Sequence, residues 1–335
     1  ISNQPTITEF TKVDLTGGQE IEGAKMQILD QDGKVVEEWV SKKEPHVVYA
    51  LEQGEYVLHE EQAPTEQGYV RAEDVKFVVE ETGDVQKVKM EDDHTKVSIS
   101  KTDITDGKEI EGAKLQILDQ DGEVVESWTT GEEHLIEYLP VGTYTLHEEA
   151  AVDGYIVAND VEFTVEETGE IQKVKMEDER AMGQLVIVKT DADSKATLEG
   201  VEFVLLEKET GKEVGRLKTG KDGKAVSELL PIGSYENGVF KEPITYVLKE
   251  TAALNGYQKT EEEWEIVFTY QNDKTPVIEV VKEIQNKKIP ETPGTVKPGP
   301  KTGDDTNWFL PLLALGVSAG MVAGLLYYRK RHKKA

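Results

Sequence analysis

The sequence predicts an all-β protein of three tandem β-sandwich domains, followed by a Pro-rich linker and one C-terminal transmembrane helix. Three observations carry this. A segment of about 88 residues returns with little change, then returns again in divergent form. Within each copy, apolar and polar residues alternate with the period of a strand. The last forty-odd residues instead run as a proline-rich stretch, an uninterrupted apolar segment and a basic tail.

The repeat comes first because it sets the domain boundaries. Residues 20–33, EIEGAKMQILDQDG, recur at 109–122; Tyr56-Val-Leu-His-Glu-Glu61 recurs as Tyr144-Thr-Leu-His-Glu-Glu149; residues 79–92 recur at 165–178. The third copy contains Leu198-Glu-Gly-Val-Glu-Phe203 and Tyr246-Val-Leu-Lys-Glu-Thr251. A period of this length is that of a domain rather than a solenoid unit. The expected domains are 1–93, 94–180 and 181–287, then a linker over 288–307, a membrane helix over 308–328 and a tail over 329–335.

Strand signals fill each copy. Val97-Ser-Ile-Ser-Lys101, Ala113-Lys-Leu-Gln-Ile117, Val161-Glu-Phe-Thr-Val165 and Leu185-Val-Ile-Val-Lys189 alternate with period two. Asp32-Gly33 and Asp121-Gly122 lie between apolar runs, which is a hairpin signal. A calcium reading of Asp30–Asp32 and Asp119–Asp121 lacks the EF-hand pattern, and tight-turn chemistry explains the same residues. Six to eight short strands per copy point to a sandwich.

The alternation also turns charge inward. Lys12 continues the face of Phe10, Lys101 that of Val97 and Ile99, and Lys189 that of Leu185 and Ile187. Glu60, Glu148 and Glu250 continue the Tyr-x-Leu faces, while Asp92, Asp178 and Asn286 continue the faces of the last strands. Each Lys stands eleven residues before a glycine: Gly23, Gly112 or Gly200. Burying three such groups costs several kcal/mol each unless they are paired or neutralised. Two readings follow. In one, these are strand-end residues that curl out to solvent, with the lysine snorkelling. In the other, a dry core favours the neutral amine and the neutral acid. The amine is then a nucleophile, the Glu assists, and an amide forms between Lys and Asp or Asn.

The copies resemble the collagen-adhesin B-type (Cna-B, SpaA-like) domains of Gram-positive pilins and adhesins. The segment that carries the resemblance is Y-x-L-x-E-T-x-A-P-x-G-Y, which stands here as residues 144–155 and 246–257, and in longer form over 56–69, where Ala63-Pro64 is kept. The resemblance covers about residues 6–287. It implies a prealbumin-like, Ig-like β-sandwich and an intramolecular isopeptide bond in each domain. Carried over residue by residue, these are Lys12–Asp92 assisted by Glu60, Lys101–Asp178 assisted by Glu148, and Lys189–Asn286 assisted by Glu250. Asp in two copies departs from the commoner Asn. Each bond would link a domain's first strand to its last, a bracing role cysteine cannot play here because the chain has none.

The linker contains PETPGTVKPGP over residues 290–300. An extended polyproline-like chain of that kind rises about 3.1 Å per residue, so 288–307 reaches roughly 60 Å. The apolar run from Trp308 to Tyr328 carries no charge and has the length a helix needs to cross a bilayer, with aromatic rings at both ends. The basic tail puts the C-terminus in the cytoplasm and residues 1–307 outside. The order resembles an LPXTG-type cell-wall sorting signal, with Pro300, Lys301, Thr302 and Gly303 as the sortase motif and Gly299 in the position of the family's Leu. The resemblance implies cleavage after Thr302 by sortase, covalent transfer to peptidoglycan, and a membrane-held state beforehand. A permanent membrane anchor is the alternative.

The chain has 66 acidic and 38 basic residues and a net charge of −28. Nucleic-acid binding, which needs clustered Lys and Arg, is thereby excluded. Neither a cofactor site nor a metal site is predicted. The six histidines are scattered, with His59 and His147 on outward faces, and no constellation for chemistry on an external substrate is present. The chain starts Ile1-Ser2-Asn3-Gln4 without a signal peptide. The expectation is therefore the C-terminal part of an exported precursor, with any host or surface ligand held upstream of Ile1. The reading is a cell-wall-anchored stalk of a surface adhesin, not an enzyme beyond its own bond formation. A sortase-polymerised pilin subunit and the anchoring scaffold of an upstream catalytic domain are the alternatives; no Tyr-Pro-Lys pilin acceptor is found.

Overall fold

The computed structural model describes residues 5–290. The linker beyond Pro290, the motif Pro300–Gly303, the apolar run 308–328 and the tail 329–335 lie outside the described residues. Among the described residues, no helix is long and apolar enough to cross a membrane; the single helical piece is a 3-10 turn, Thr65–Gln67.

The first sandwich is built from β1 (Ile7–Asp14), β2 (Lys25–Leu29), β3 (Val35–Val40), β4 (His46–Tyr49), β5 (Gly54–Gln62), β6 (Tyr69–Val70), β7 (Val75–Val79) and β8 (Val85–His94). Sheets in the order β4-β1-β8-β6 and β3-β2-β5-β7 face each other. The first and last strands, β1 and β8, lie side by side and parallel over eight register pairs, from Ile7↔Val85 to Asp14↔Asp92. The core between the sheets is Phe10, Met26, Ile28, Leu58, Val88 and Met90 with their neighbours. The alternation that predicted strands is visible in β1 and β8, whose buried residues fall at every second position until the domain exit.

The second sandwich repeats this with β9 (Lys96–Asp103), β10 (Lys114–Leu118), β11 (Val124–Thr129), β12 (His134–Glu137), β13 (Gly142–Ala150), β14 (Tyr155–Ile156), β15 (Val161–Val165) and β16 (Ile171–Arg180). Its sheets run β12-β9-β16-β14 and β11-β10-β13-β15, again with first and last strands parallel. The turns at Asp30–Gly33 and Asp119–Gly122 are hairpin turns. Asp30 Oδ1 accepts from the main-chain N–H of Asp32 and Lys34, and Gly33 takes a positive φ of 76° that a Cβ would disfavour.

The third sandwich departs from the six to eight strands expected. It has ten: β17 (Met182–Asp191), β18 (Glu202–Glu207), β19 (Glu213–Lys218), β20 (Lys224–Val226), β21 (Leu230–Pro231), β22 (Gly233–Glu236), β23 (Val239–Pro243), β24 (Thr245–Ala252), β25 (Glu263–Val267) and β26 (Val277–Asn286). The extra pair β22–β23 is a hairpin, inserted ahead of the strand that carries Glu250. Its core is the largest of the three, with Phe203, Tyr246, Trp264 and Phe268 among its rings.

Candidate functional site

In each sandwich the inward alternation delivers three ionisable or amide side chains to one end of the core. Lys12 stands on β1 and Asp92 on the adjacent parallel strand β8, while Glu60 reaches across from β5 in the opposite sheet. Lys101, Asp178 and Glu148 occupy the same places on β9, β16 and β13; Lys189, Asn286 and Glu250 do so on β17, β26 and β24. All nine residues are at most 4% exposed, so the strand ends do not curl out to solvent.

The three groups touch in every domain. Lys12 Nζ contacts Asp92 Oδ1 and lies 2.9 Å from Glu60 Oε2. Lys101 Nζ contacts Asp178 Oδ1 and lies 2.9 Å from Glu148 Oε2. In the third domain Lys189 Nζ donates to Asn286 Oδ1 at 2.5 Å, Asn286 Nδ2 donates to Glu250 Oε1 at 2.6 Å, and Glu250 Oε2 stands 3.1 Å from Lys189 Nζ.

The protonation chemistry differs between the Asp and Asn versions. In the first two domains one oxygen of each carboxyl lacks a partner: Glu60 Oε1 and Asp92 Oδ2, then Glu148 Oε1 and Asp178 Oδ2. Two unpaired buried acceptors cost several kcal/mol, and one proton held between the carboxyls supplies the missing donor. Burial pushes Asp92 and Asp178 up to about 7, with the neighbouring Glu adding to the rise against the opposing pull of the Lys. In the third domain the Asn286 amide fills the donor's place. There burial lowers the pKa of Lys189, opposed by Glu250, which favours the neutral amine relative to an exposed lysine.

Main-chain groups position the first two glutamates. Ala72 N–H donates to Glu60 Oε2 at 2.8 Å, and Ala158 N–H to Glu148 Oε2 at 2.6 Å. The sequence reading missed these donors, because a main-chain N–H leaves no mark in residue type. It also missed a second recurrent carboxylate, two residues beyond each Lys. Asp103 accepts from Tyr155 Oη (2.8 Å) and Arg180 Nε (2.6 Å), and Asp191 from Tyr257 Oη (2.8 Å). Asp14 accepts from Tyr138 Oη of the second sandwich (2.8 Å), from the Thr16 and Gly17 N–H groups (2.7 Å each) and from Thr16 Oγ1 (2.6 Å). Burial works to raise the pKa of Asp14, but the hydrogen bonds outweigh it and hold the carboxyl well below the usual range. The repeated Lys-x-Asp spacing and the closing Gly-Tyr of the quoted segment were the signals available.

The remaining predicted positions are quickly placed. His59 and His147 lie on outer faces, each paired with a carboxylate, Asp74 at 2.6 Å and Asp160 at 2.7 Å. Pro300, Lys301, Thr302 and Gly303 lie outside the described residues.

Residues 6–94, 95–180 and 183–243 match the family described as SpaA, prealbumin-like fold domain. The third match stops before β24, so Glu250 and Asn286 fall outside it. Among solved structures, the Bacillus anthracis TIE protein aligns at 28% identity with a TM-score of 0.57, over 85% of this chain and 51% of its own. The chain thus spans about half the length of that structure. BcpA, the major pilin subunit of Bacillus cereus, aligns at 16% identity with a TM-score of 0.49, over 85% of this chain and 100% of its own. No curated protein matches the chain.

Proposed function

The chain belongs to the SpaA prealbumin-like domain family, and from that premise we propose that it is a structural stalk on the surface of a Gram-positive cell, braced inside each domain by a Lys–Asp or Lys–Asn isopeptide bond. The observation that carries the reading is the buried Lys–Glu–Asp/Asn contact, present at the same place in all three sandwiches, the divergent third included. A structural ion pair alone would be a poor reason for three such clusters, since well-packed apolar residues are often as stabilising or more so.

The chemistry balances within each cluster. The neutral amine Nζ attacks the side-chain carbonyl carbon of Asp92 or Asp178. A C–N bond forms, the C–O bond to one carboxyl oxygen breaks, and water leaves. At Asn286 the C–N bond of the side-chain amide breaks instead, and ammonia leaves. The Glu takes the proton that the Lys sheds and returns one to the leaving group. No external substrate is acted on. In the third domain Asn286 Nδ2 donates directly to Glu250 Oε1, while Glu250 Oε2 stands 3.1 Å from Lys189 Nζ without a hydrogen-bond partner.

Wall attachment through Thr302 by sortase, with peptidoglycan as the covalent partner and a membrane-held precursor, completes the reading; it rests on the order of motif, apolar run and basic tail. It makes the protein extracellular. A sortase-polymerised pilin subunit is the second reading, disfavoured by the lack of a Tyr-Pro-Lys acceptor in residues 1–335. The bonds are tested by the intact mass of the compact unit Ile1–Ile289. The expected value falls short of the summed residues by two waters and one ammonia, and an unchanged mass would refute the brace.

A further inference from the structure

The segment that holds the assisting glutamate in each of the first two domains is itself held by the next domain. Ala72, whose N–H donates to Glu60, is preceded by Arg71, whose N–H donates to Glu167 Oε1 of the second sandwich at 3.2 Å. One domain further on, Ala158 is preceded by Val157, whose N–H donates to the Asp273 carbonyl oxygen of the third sandwich at 3.0 Å. The acceptors sit at the same topological place: Glu167 in the β15–β16 loop, Asp273 in the β25–β26 loop. Arg71–Ala72 and Val157–Ala158 lie in the loops just past β6 and β14, and in each pair the two successive N–H groups take different partners. One is directed to the buried carboxylate and the other to the neighbouring domain.

Other contacts hold the first of these loops in place. Lys96 Nζ donates to Gly169 O at 3.0 Å and to Asp93 Oδ1 at 2.6 Å, tying the loop that carries Glu167 to the exit of the first sandwich. A side chain at Gly169 would collide with Asp93, so the loop's approach is close. At the second joint, Tyr270 Oη donates to Tyr155 O at 2.9 Å and Met182 N–H to Pro276 O at 3.0 Å. The third domain has neither half of the device. Its position equivalent to Ala72 and Ala158 is Thr260, three residues beyond the Gly-Tyr tyrosine, and among the described residues Glu250 takes no main-chain donor. Asn286 fixes it directly.

We propose that each following domain completes the bond-forming centre of the domain before it, with Glu167 acting on the first centre as a positioning residue through Arg71, Ala72 and Glu60, whereas the third centre is self-sufficient. This rests on the isopeptide reading above. Held from both sides, the 71–72 segment keeps Glu60 Oε2 on the lysine and leaves Glu60 Oε1 for the proton shared with Asp92. The consequence is that the bond of the first domain closes faster once the second has docked, which favours locking the domains in a docked state.

The test is a time course of the full-length chain made by cell-free synthesis in detergent. Samples are digested, and the peptide pairs joined through Lys12–Asp92, Lys101–Asp178 and Lys189–Asn286 are quantified by mass spectrometry. Glu167→Ala is expected to slow the Lys12–Asp92 bond about two- to twelve-fold, the worth of one hydrogen bond of ordinary strength. The other two bonds serve as internal controls and keep their rates. Glu167→Gln, whose side-chain carbonyl accepts the same hydrogen bond, restores the rate. Asp273→Ala leaves the Lys101–Asp178 rate unchanged, because that acceptor is main-chain. A wild-type rate in Glu167→Ala, a Gln variant as slow as Ala, or equal slowing of all three bonds would each overturn the inference. Absence of a Lys12–Asp92 peptide in the wild type would instead bring down the isopeptide reading, and this inference with it.

Discussion

Asp178→Ala isolates the worth of one brace. The variant removes the carbonyl carbon that Lys101 attacks and leaves Lys101 with Glu148 in a core where both side chains are at most 1% exposed. Lys101 and Asp178 are 77 positions apart. Applying the chain-entropy relation for disulfides to a loop of that length gives about 4.5 kcal/mol for the cross-link. For a domain of this size, each kcal/mol moves the midpoint by about 4–8 °C, so the second domain should melt roughly 20–35 °C lower. That loss is comparable with the whole stability of many small domains. Differential scanning calorimetry of the full chain reads it, with the first and third domains as internal references. Asp178→Asn is the matching control: its amide can lose ammonia where the acid loses water, and both routes give the same Lys–Asx product. The mature Asn variant should therefore have the wild-type mass and midpoint. The reasoning fails if Asp178→Ala still shows the full wild-type mass deficit, or if its second transition stays within about 5 °C of wild type.

Two further outcomes are expected. Bond formation in the first two domains needs a proton on the Glu–Asp pair in addition to the one on Lys, and that proton is lost as pH rises through the value of about 7 for Asp92 and Asp178. Their bonds should form fastest below pH 7 and slow by up to about tenfold per pH unit above it, while the Lys189–Asn286 bond, which has no such proton to lose, does not slow; cross-linked peptides quantified from pH 5 to 9 would show it, and a flat profile for all three would contradict it. Thr302→Ala should move the protein from the peptidoglycan fraction to the membrane fraction of a Gram-positive host, read by immunoblot after muramidase digestion; unchanged wall attachment would remove Thr302 from the reading.

Much of each buried cluster was legible because a strand has a strict period of two. Once Val97 and Ile99 face inward, Lys101 must follow them, and the same holds for Leu146 and Glu148 or Met176 and Asp178. Three copies turned an oddity into a pattern. The β22–β23 hairpin is signalled only locally, by its Asn237-Gly238 turn, and the repeat does not reveal it because the insertion between Gly233 and Thr245 has no counterpart in the other copies. The joints were not legible. Tyr138 stacks on His94 at 3.9 Å between rings, and Arg180 lies 4.1 Å above the Tyr235 ring, yet these partners sit 44 and 55 positions apart in segments that carry no shared motif.

The sequence by itself determined which residues alternate towards the core, among them a Lys, a Glu and an Asp or Asn in each copy, because side-chain direction along a strand is a local property of the backbone. Only the tertiary structure decided that β1 and β8 lie parallel and adjacent, which brings Lys12 against Asp92 across 80 positions of chain. It alone decided which main-chain N–H groups reach the glutamates and which reach the next domain. Those contacts depend on how sheets and loops pack at long range, and a peptide N–H is the same in every residue but proline.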